Sequence, residues 1–287
     1  MNSMMTRNRH LTQRIGFGCI TAMAFATVIP IVAVIVYIFV QGWSAISAEF
    51  LTTFPTNGMR SGGIYPAIVG TVVLTLVASI FVVPLGIAAA IYLAEYAKDT
   101  RLTRTIRIAI INLAGIPSVV YGLFGLGMFV LFFQFGTSIL AASLTLAIMT
   151  LPVVISTSEE ALRAVPQGFR TVSISLGATR WQTIRRIVLK EALPGILTGV
   201  ILGLERAAGE TAPILFTGAV FFLPSLPKSL FDPTMALPYH LFVISTQVPE
   251  MPVNIQYGTA LVLLLFVLTL NLIATVIRSR ARAKRQW

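Results

Sequence analysis

Three charged side chains, Glu205, Arg206 and Glu210, stand inside an apolar run of helix length that spans residues 192–222. A charge at the centre of such a helix costs on the order of 2.5–3.5 kcal/mol on insertion scales. A chain keeps it there only where it pairs, lines a watery path, or does both. Arg206 and Glu210 are four residues apart and share a helix face, whereas Glu205 lies roughly 100° round from Arg206. Arg206 offers a planar fork of donors suited to an oxyanion. If all three groups ionise, the cluster sums to −1 and repels an anion. Either one carboxylate then carries no charge, or a partner subunit adds another arginine. The competing reading is an Arg206–Glu210 pair that only holds helices together. The Thr211 hydroxyl could join the path or bond its own backbone. His10 and His240 are isolated, and no nucleophile–base pair or metal-ligand spacing is present.

The elements that must position these groups are membrane helices. The chain has 287 residues, 56% hydrophobic and 11% charged, with mean hydropathy of +0.87. Soluble domains carry about 25% charged residues. Long unbroken apolar runs exclude a barrel of alternating strands. Cys19 is the one cysteine, so no internal disulfide forms. The pattern predicts an all-α polytopic membrane protein with six transmembrane helices, near 15–40, 64–94, 106–134, 138–158, 192–222 and 257–277. The first run exceeds the 7–15 residues of a signal-peptide core and reads as a retained helix.

Basic residues alternate between the connecting segments. Eighteen of the twenty-one Lys and Arg lie in the N-terminal tail, the second and fourth loops and the C-terminal tail. The intervening loops hold only Arg60 and Lys228. The positive-inside rule places both termini in the cytoplasm. This accounts for the net charge of +11 without nucleic acid. The basic tail, 281–287, reads as a stop signal meeting anionic membrane lipid. Two external loops, 42–63 and 223–256, are expected over the mouth, the second with six prolines. The Gly195, Gly199, Gly203 and Ala207 stripe permits close helix approach, within the chain or to another subunit. Glu159 and Glu160 read as a solvated face, Tyr121 as a packing aromatic, and Met4 and Met5 as part of a flexible start.

The fourth loop, about 159–191, has its own pattern. Pro166 opens a helical stretch with Phe169, Val172, Ser173 and Leu176 on one face. Gly177 sits where a helix C-cap glycine belongs. Ala178, Thr179, Arg180 and Trp181 lead into a second short helix, expected from Gln182 to Leu189. Such a helix–glycine–helix element with an apolar face suits docking into a partner's groove. Lying on lipid is the equal alternative.

This loop resembles the cytoplasmic signature of importer-type ABC permeases, Glu-Ala-Ala-x3-Gly-x9-Ile-x-Leu-Pro. Gly177, Ile187 and Leu189 match, while Thr171, Val172 and Ser173 replace Glu-Ala-Ala and Lys190 replaces Pro. Further motifs are Gly62-Gly63-Ile64-Tyr65-Pro66, Ile91-Tyr92-Leu93-Ala94-Glu95-Tyr96, Gly115-Ile116-Pro117-Ser118 and Arg206-Ala207-Ala208-Gly209-Glu210-Thr211-Ala212-Pro213. In order and spacing they resemble the permeases of phosphate-specific ABC importers, the PstA type more than the PstC type. The resemblance implies a type I ABC importer permease fold with its core at 64–280, after a first helix and external loop in 1–63. It implies a PstC-like second permease, a PstB-like ATPase dimer holding the ATP and magnesium, and a PstS-like phosphate-binding protein in the extracytoplasmic space. This chain has no phosphate loop of its own and needs no cofactor. The location implied is the bacterial cytoplasmic (inner) membrane. The substrate path would be Arg206, Glu210, Thr211 and Glu205, with Glu210 accepting a hydrogen bond from protonated phosphate, which sulfate cannot donate. Coupling to the ATPase would fall to Phe169, Leu176, Gly177, Ala178, Arg180 and Trp181. Rival readings are a permease for sulfate, molybdate or an amino acid, a proton-coupled secondary transporter using Glu205 or Glu210, and a membrane scaffold or intramembrane enzyme.

Overall fold

The computed structural model describes the backbone of residues 2–283, and side chains for residue 13 and residues 16–280. Met1, residues 284–287 and the side chains of Met4, Met5, His10 and the 281–287 tail lie outside the described residues.

Helix α1 (Asn2–Gly42) leads through a 3-10 turn to short α2 (Ala48–Thr52) and a hairpin of β1 (Pro55–Thr56) with β2 (Ser61–Gly62). Helix α3 (Tyr65–Ile91) carries Pro66 in its first turn, where the missing N–H is unneeded, and ends in a π turn, Tyr92–Tyr96. Helix α4 (Arg101–Ala114) is capped by the Thr100 hydroxyl. It bends by 99° into α5 (Ser118–Gly125), which runs on as a π segment to Phe132. Helix α6 (Ile139–Arg163) is capped by Ser138. There follow α7 (Gln167–Ser175), α8 (Arg180–Thr183) and α9 (Leu189–Gly209), the last two fused through a π turn, Ile184–Val188. The chain closes with α10 (Ala212–Thr217), α11 (Leu237–Thr246) and α12 (Val253–Ala283).

Among the described residues, five helices are long and apolar enough to cross a membrane, and a sixth crossing requires counting the bent α4–α5 pair as one span. Two expected spans therefore change. The 106–134 segment is broken at Gly115-Ile116-Pro117, because proline disfavours helix in the residue before it. The Tyr121 hydroxyl, on α5, donates 2.8 Å to the Leu113 carbonyl on α4 and pins the bend, so Tyr121 does more than pack. The 192–222 segment stops being helical at Glu210 and starts its helix far earlier, at Arg180. The second loop helix is thus the foot of the fifth span. The proline-rich external segment also reaches further in than a rim. Met235, Ala236 and Leu237 are buried, the Leu237 N–H donates 2.8 Å to Thr71 Oγ1, and His240 is buried in α11.

Helix α6 is the centre of the bundle, touching α3, α4, α5, α9 and α10. Leu74, Val82, Leu146, Met149, Val154 and Ile196 form the main core. The glycine stripe of α9 faces α6. A Cβ at Gly195 would lie 2.6 Å from the Ala161 Cβ, one at Gly203 would lie 3.0 Å from Val154, and one at Gly199 would overlap Thr157. The stripe therefore serves packing within the chain. Gly195→Ala is expected to cost about 1–3 kcal/mol through overpacking. Adding Ala161→Gly vacates the clashing methyl and trades one helix propensity for the other, leaving about 1 kcal/mol or less. Melting of the detergent-solubilised protein should fall for the single variant and recover for the pair. No recovery would show that this contact does not set the α6–α9 distance.

Candidate functional site

At Gly209 the backbone of α9 leaves the helix, and Glu210 is extended (φ −78°, ψ 132°) before α10 resumes. Irregular backbone at membrane depth survives only where it is buried in protein or lines a cavity. Arg206 sits in the last turn of α9, where the carbonyl end of the helix favours a cation. Its Nε donates to Glu210 Oε1 at 3.3 Å, with the side chains 36% and 19% exposed. Glu210 lines a cavity of about 10 Å³ with Thr71, Thr75, Leu146 and Ala236. That is the volume of about one water. Glu205 is only 8% exposed and turns to Asn271 on α12, so it stands apart from the other two charges. Thr211 stands at the α10 N-cap position, but its side chain makes no capping bond. The structure therefore joins Arg206 and Glu210 and separates Glu205 from them.

The second cluster lies at the opposite end of α9. Helix α7 stops as its sequence requires. The Gly177 N–H bonds the Ile174 carbonyl at 2.9 Å and the Ala178 N–H bonds Ser173 at 3.2 Å, with Gly177 at φ +86°, where a side chain would be strained. Thr179 and Gln182 form a reciprocal capping box for α8. The Ser173 and Thr183 hydroxyls meet at 2.8 Å and fix the two helices together. Leu176 is 83% exposed, and Val172, Ile174 and Trp181 are also exposed. An open apolar groove of about 530 Å³ runs along Pro166, Phe169, Val172, Leu176 and Ile187. Arg180 does not join that surface. It folds back to donate to the Glu95 carbonyl and lies 5.1 Å over the Tyr96 ring.

The pattern of residues 82–283 matches the family described as "Binding-protein-dependent transport system inner membrane component". The chain belongs to this family. It is a multi-pass membrane transport component of the ABC permease type. It is 32% identical over 280 residues to the probable ABC transporter permease protein YqgI of Bacillus subtilis, covering 93% of this chain and 95% of that one. It is 36% identical over 263 residues to the phosphate transport system permease protein PstA 1 of Mycobacterium tuberculosis, covering 90% and 84%. A solved ABC transporter for import of the acidic polysaccharide alginate contains a chain that superposes with TM-score 0.62 at 15% identity, covering 93% of this chain and 96% of that one. The MetNI methionine ABC transporter gives 0.61 at 18%, covering 75% and 94%. At those identities the likeness is one of fold, that of type I ABC importer permeases.

In this permease the shortest ion pairs lie at residues that no local pattern marks. Arg170 grips the Glu95 carboxylate at 2.6 Å and bonds the carbonyls of Leu162 (2.9 Å) and Val165 (2.7 Å). Glu159, expected on a solvated face, is buried and accepts from Arg107 at 2.8 Å and Arg163 at 2.9 Å. The available signal was Glu95 itself, a carboxylate closing an apolar helix. Removing one partner of a buried pair costs about 3–5 kcal/mol. Glu95→Ala should therefore release α7, seen as faster tryptic cleavage between residues 164 and 191, whereas Ala at exposed Glu160 should leave the rate unchanged. Equal rates in both variants would mean that Glu95 does not hold the loop.

Proposed function

We propose that this chain is a permease subunit of an ATP-driven importer of inorganic phosphate in the cytoplasmic membrane, with its termini and the α7–α8 loop in the cytoplasm. The observation that carries the reading is the Arg206–Glu210 pair at a break in a membrane helix, in a chain whose relatives are named phosphate permeases. Arg206 would bind phosphate oxygens through its planar donors. Glu210 would release Arg206 and accept a hydrogen bond from the protonated oxygen of hydrogen phosphate. Sulfate has no such proton near neutral pH and would leave Glu210 unmatched. Arg206 and Glu210 cancel in charge, so a PstC-like second permease would supply the remaining positive field. The exposed Leu176, Val172 and Trp181 surface, with Phe169 beside the groove, would seat a PstB-like ATPase that holds ATP and magnesium. A PstS-like binding protein would deliver phosphate at the far side.

One rod links the two ends. From Arg180 to Arg206 the helix rises roughly 39 Å, so displacement of α8 by the ATPase carries directly to the charged pair. Ion-coupled transport would need no such docking element. The reconstituted importer should hydrolyse ATP faster with phosphate-loaded binding protein than with the sulfate-treated protein. Glu210→Gln should lower phosphate flux about tenfold or more, by analogy with lost charge-assisted hydrogen bonds, and narrow the preference over sulfate. Unchanged flux and selectivity in that variant would remove Glu210 from the path.

A further inference from the structure

A cavity of about 600 Å³ opens between the end of α3, the end of α6 and the α7–α8 loop. Its volume is typical of small-molecule sites. Glu95, Arg163, Gln167, Arg170, Arg180 and Thr183 line it, and the charges of these side chains sum to +2. The arginines differ in how far they are committed. Arg170 spends nearly all its donors on Glu95, Leu162 and Val165. Arg163 commits Nε to Glu159, and Arg180 commits one terminal nitrogen to the Glu95 carbonyl. Each guanidinium carries five N–H groups, so each keeps four uncommitted among the described residues. The one carboxylate on the cavity wall, Glu95, is already held by Arg170. A space with two underused guanidinium forks and no spare acceptor carboxylate suits a doubly charged oxyanion.

We infer that this cavity is a second oxyanion site, distinct from the Arg206–Glu210 pair and set at the foot of the α8–α9 rod. An anion bridging Arg163 on α6 to Arg180 on α8 ties the foot of the rod to the bundle and opposes its displacement. Its cellular ligand, inorganic phosphate on the release side, rests on the transport reading given above, and occupancy then slows import as product accumulates. The two sites differ in chemistry. The pair at Glu210 has an acceptor that requires a protonated ligand, whereas this cavity offers donors and therefore takes sulfate as readily as phosphate.

The test uses the complete importer in nanodiscs without binding protein, probed with radiolabelled inorganic phosphate. Binding should be displaced by sulfate but not by chloride at equal ionic strength. Arg163→Gln should weaken it about tenfold or more, the loss expected for charge-assisted hydrogen bonds. Arg163→Lys should restore part of the affinity, and Glu160→Gln, at an exposed carboxylate outside the cavity, should leave it unchanged. In proteoliposomes, sulfate on the ATPase side should slow phosphate import, and Arg163→Gln should abolish that inhibition. Phosphate binding indifferent to Arg163→Gln, or absent from the complete importer, would overturn the inference while leaving phosphate transport intact. Sulfate-displaceable binding in a complex that imports no phosphate would instead overturn the transport reading alone.

Discussion

The contact between α6 and α9 governs this structure. In an apolar medium helices gain little from burying more apolar surface, so association rests on close packing and on the few polar groups within it. Glycines at 195, 199 and 203 let α9 approach α6 until side chains there meet backbone. The approach fixes a helix that is unbroken from Arg180 to Gly209. Its foot belongs to the loop and its head carries Arg206. The position of the charged pair is therefore set by packing some distance below it.

The ion pairs divide by how firmly they are held. Arg170 reaches Glu95 and two carbonyls with contacts between 2.6 and 3.2 Å, from a side chain that is almost wholly enclosed. Removing either partner leaves an uncompensated buried charge, so the clasp behaves as a fixed joint. Arg206 and Glu210 share a single contact of 3.3 Å, and Arg206 keeps more than a third of its side chain exposed. Exchanging Glu210 for another acceptor disturbs one long hydrogen bond. The same chemistry thus yields a joint at the foot of α9 and a replaceable pair at its head.

Periodic features were legible in the sequence. The long apolar runs, the Gly177 stop and the four-residue glycine spacing each express helical geometry over a short stretch, and all are found. Pairings across distance were not legible. Glu159 meets Arg107 from 52 residues away and Glu95 meets Arg170 from 75, so neither partner appears in a local window. Breaks were partly legible. Gly115-Ile116-Pro117 announces a disturbance, but membrane helices tolerate proline often enough that a 99° bend does not follow from it. The end of α9 at Glu210 is less visible still, since Pro213 lies beyond it, in the first turn of α10. Glu205 and Arg206 are adjacent in sequence, yet helix rotation sends one to Asn271 and the other to Glu210.

These constraints bear on how the small space beside Glu210 can widen. Its walls are α3, α6, α9, α10 and the 236–238 segment. Separating α9 from α6 sacrifices the glycine contacts. Separating α3 from α6 exposes Gly86, whose missing Cβ would stand 2.7 Å from Val154. Helices α3, α6 and α9 therefore resist motion relative to one another and behave as one body. Helix α10 joins α9 through the non-helical Glu210–Thr211 link, and α5 meets α4 at a bend pinned by one Tyr121 hydrogen bond. Gly122 brings α5 close to Ala212 on α10, while Gly125 seats α5 against Thr145 on α6 and Gly218, after α10, meets Ser138 and Ala142, so α5 and α10 are packed onto α6 as well as onto each other. Widening the space by moving α5 and α10 therefore costs the Gly125–Thr145 and Gly218–Ser138 contacts. Glu210 both faces the cavity and stands in that non-helical link, so rotation about the link changes its distance from Arg206.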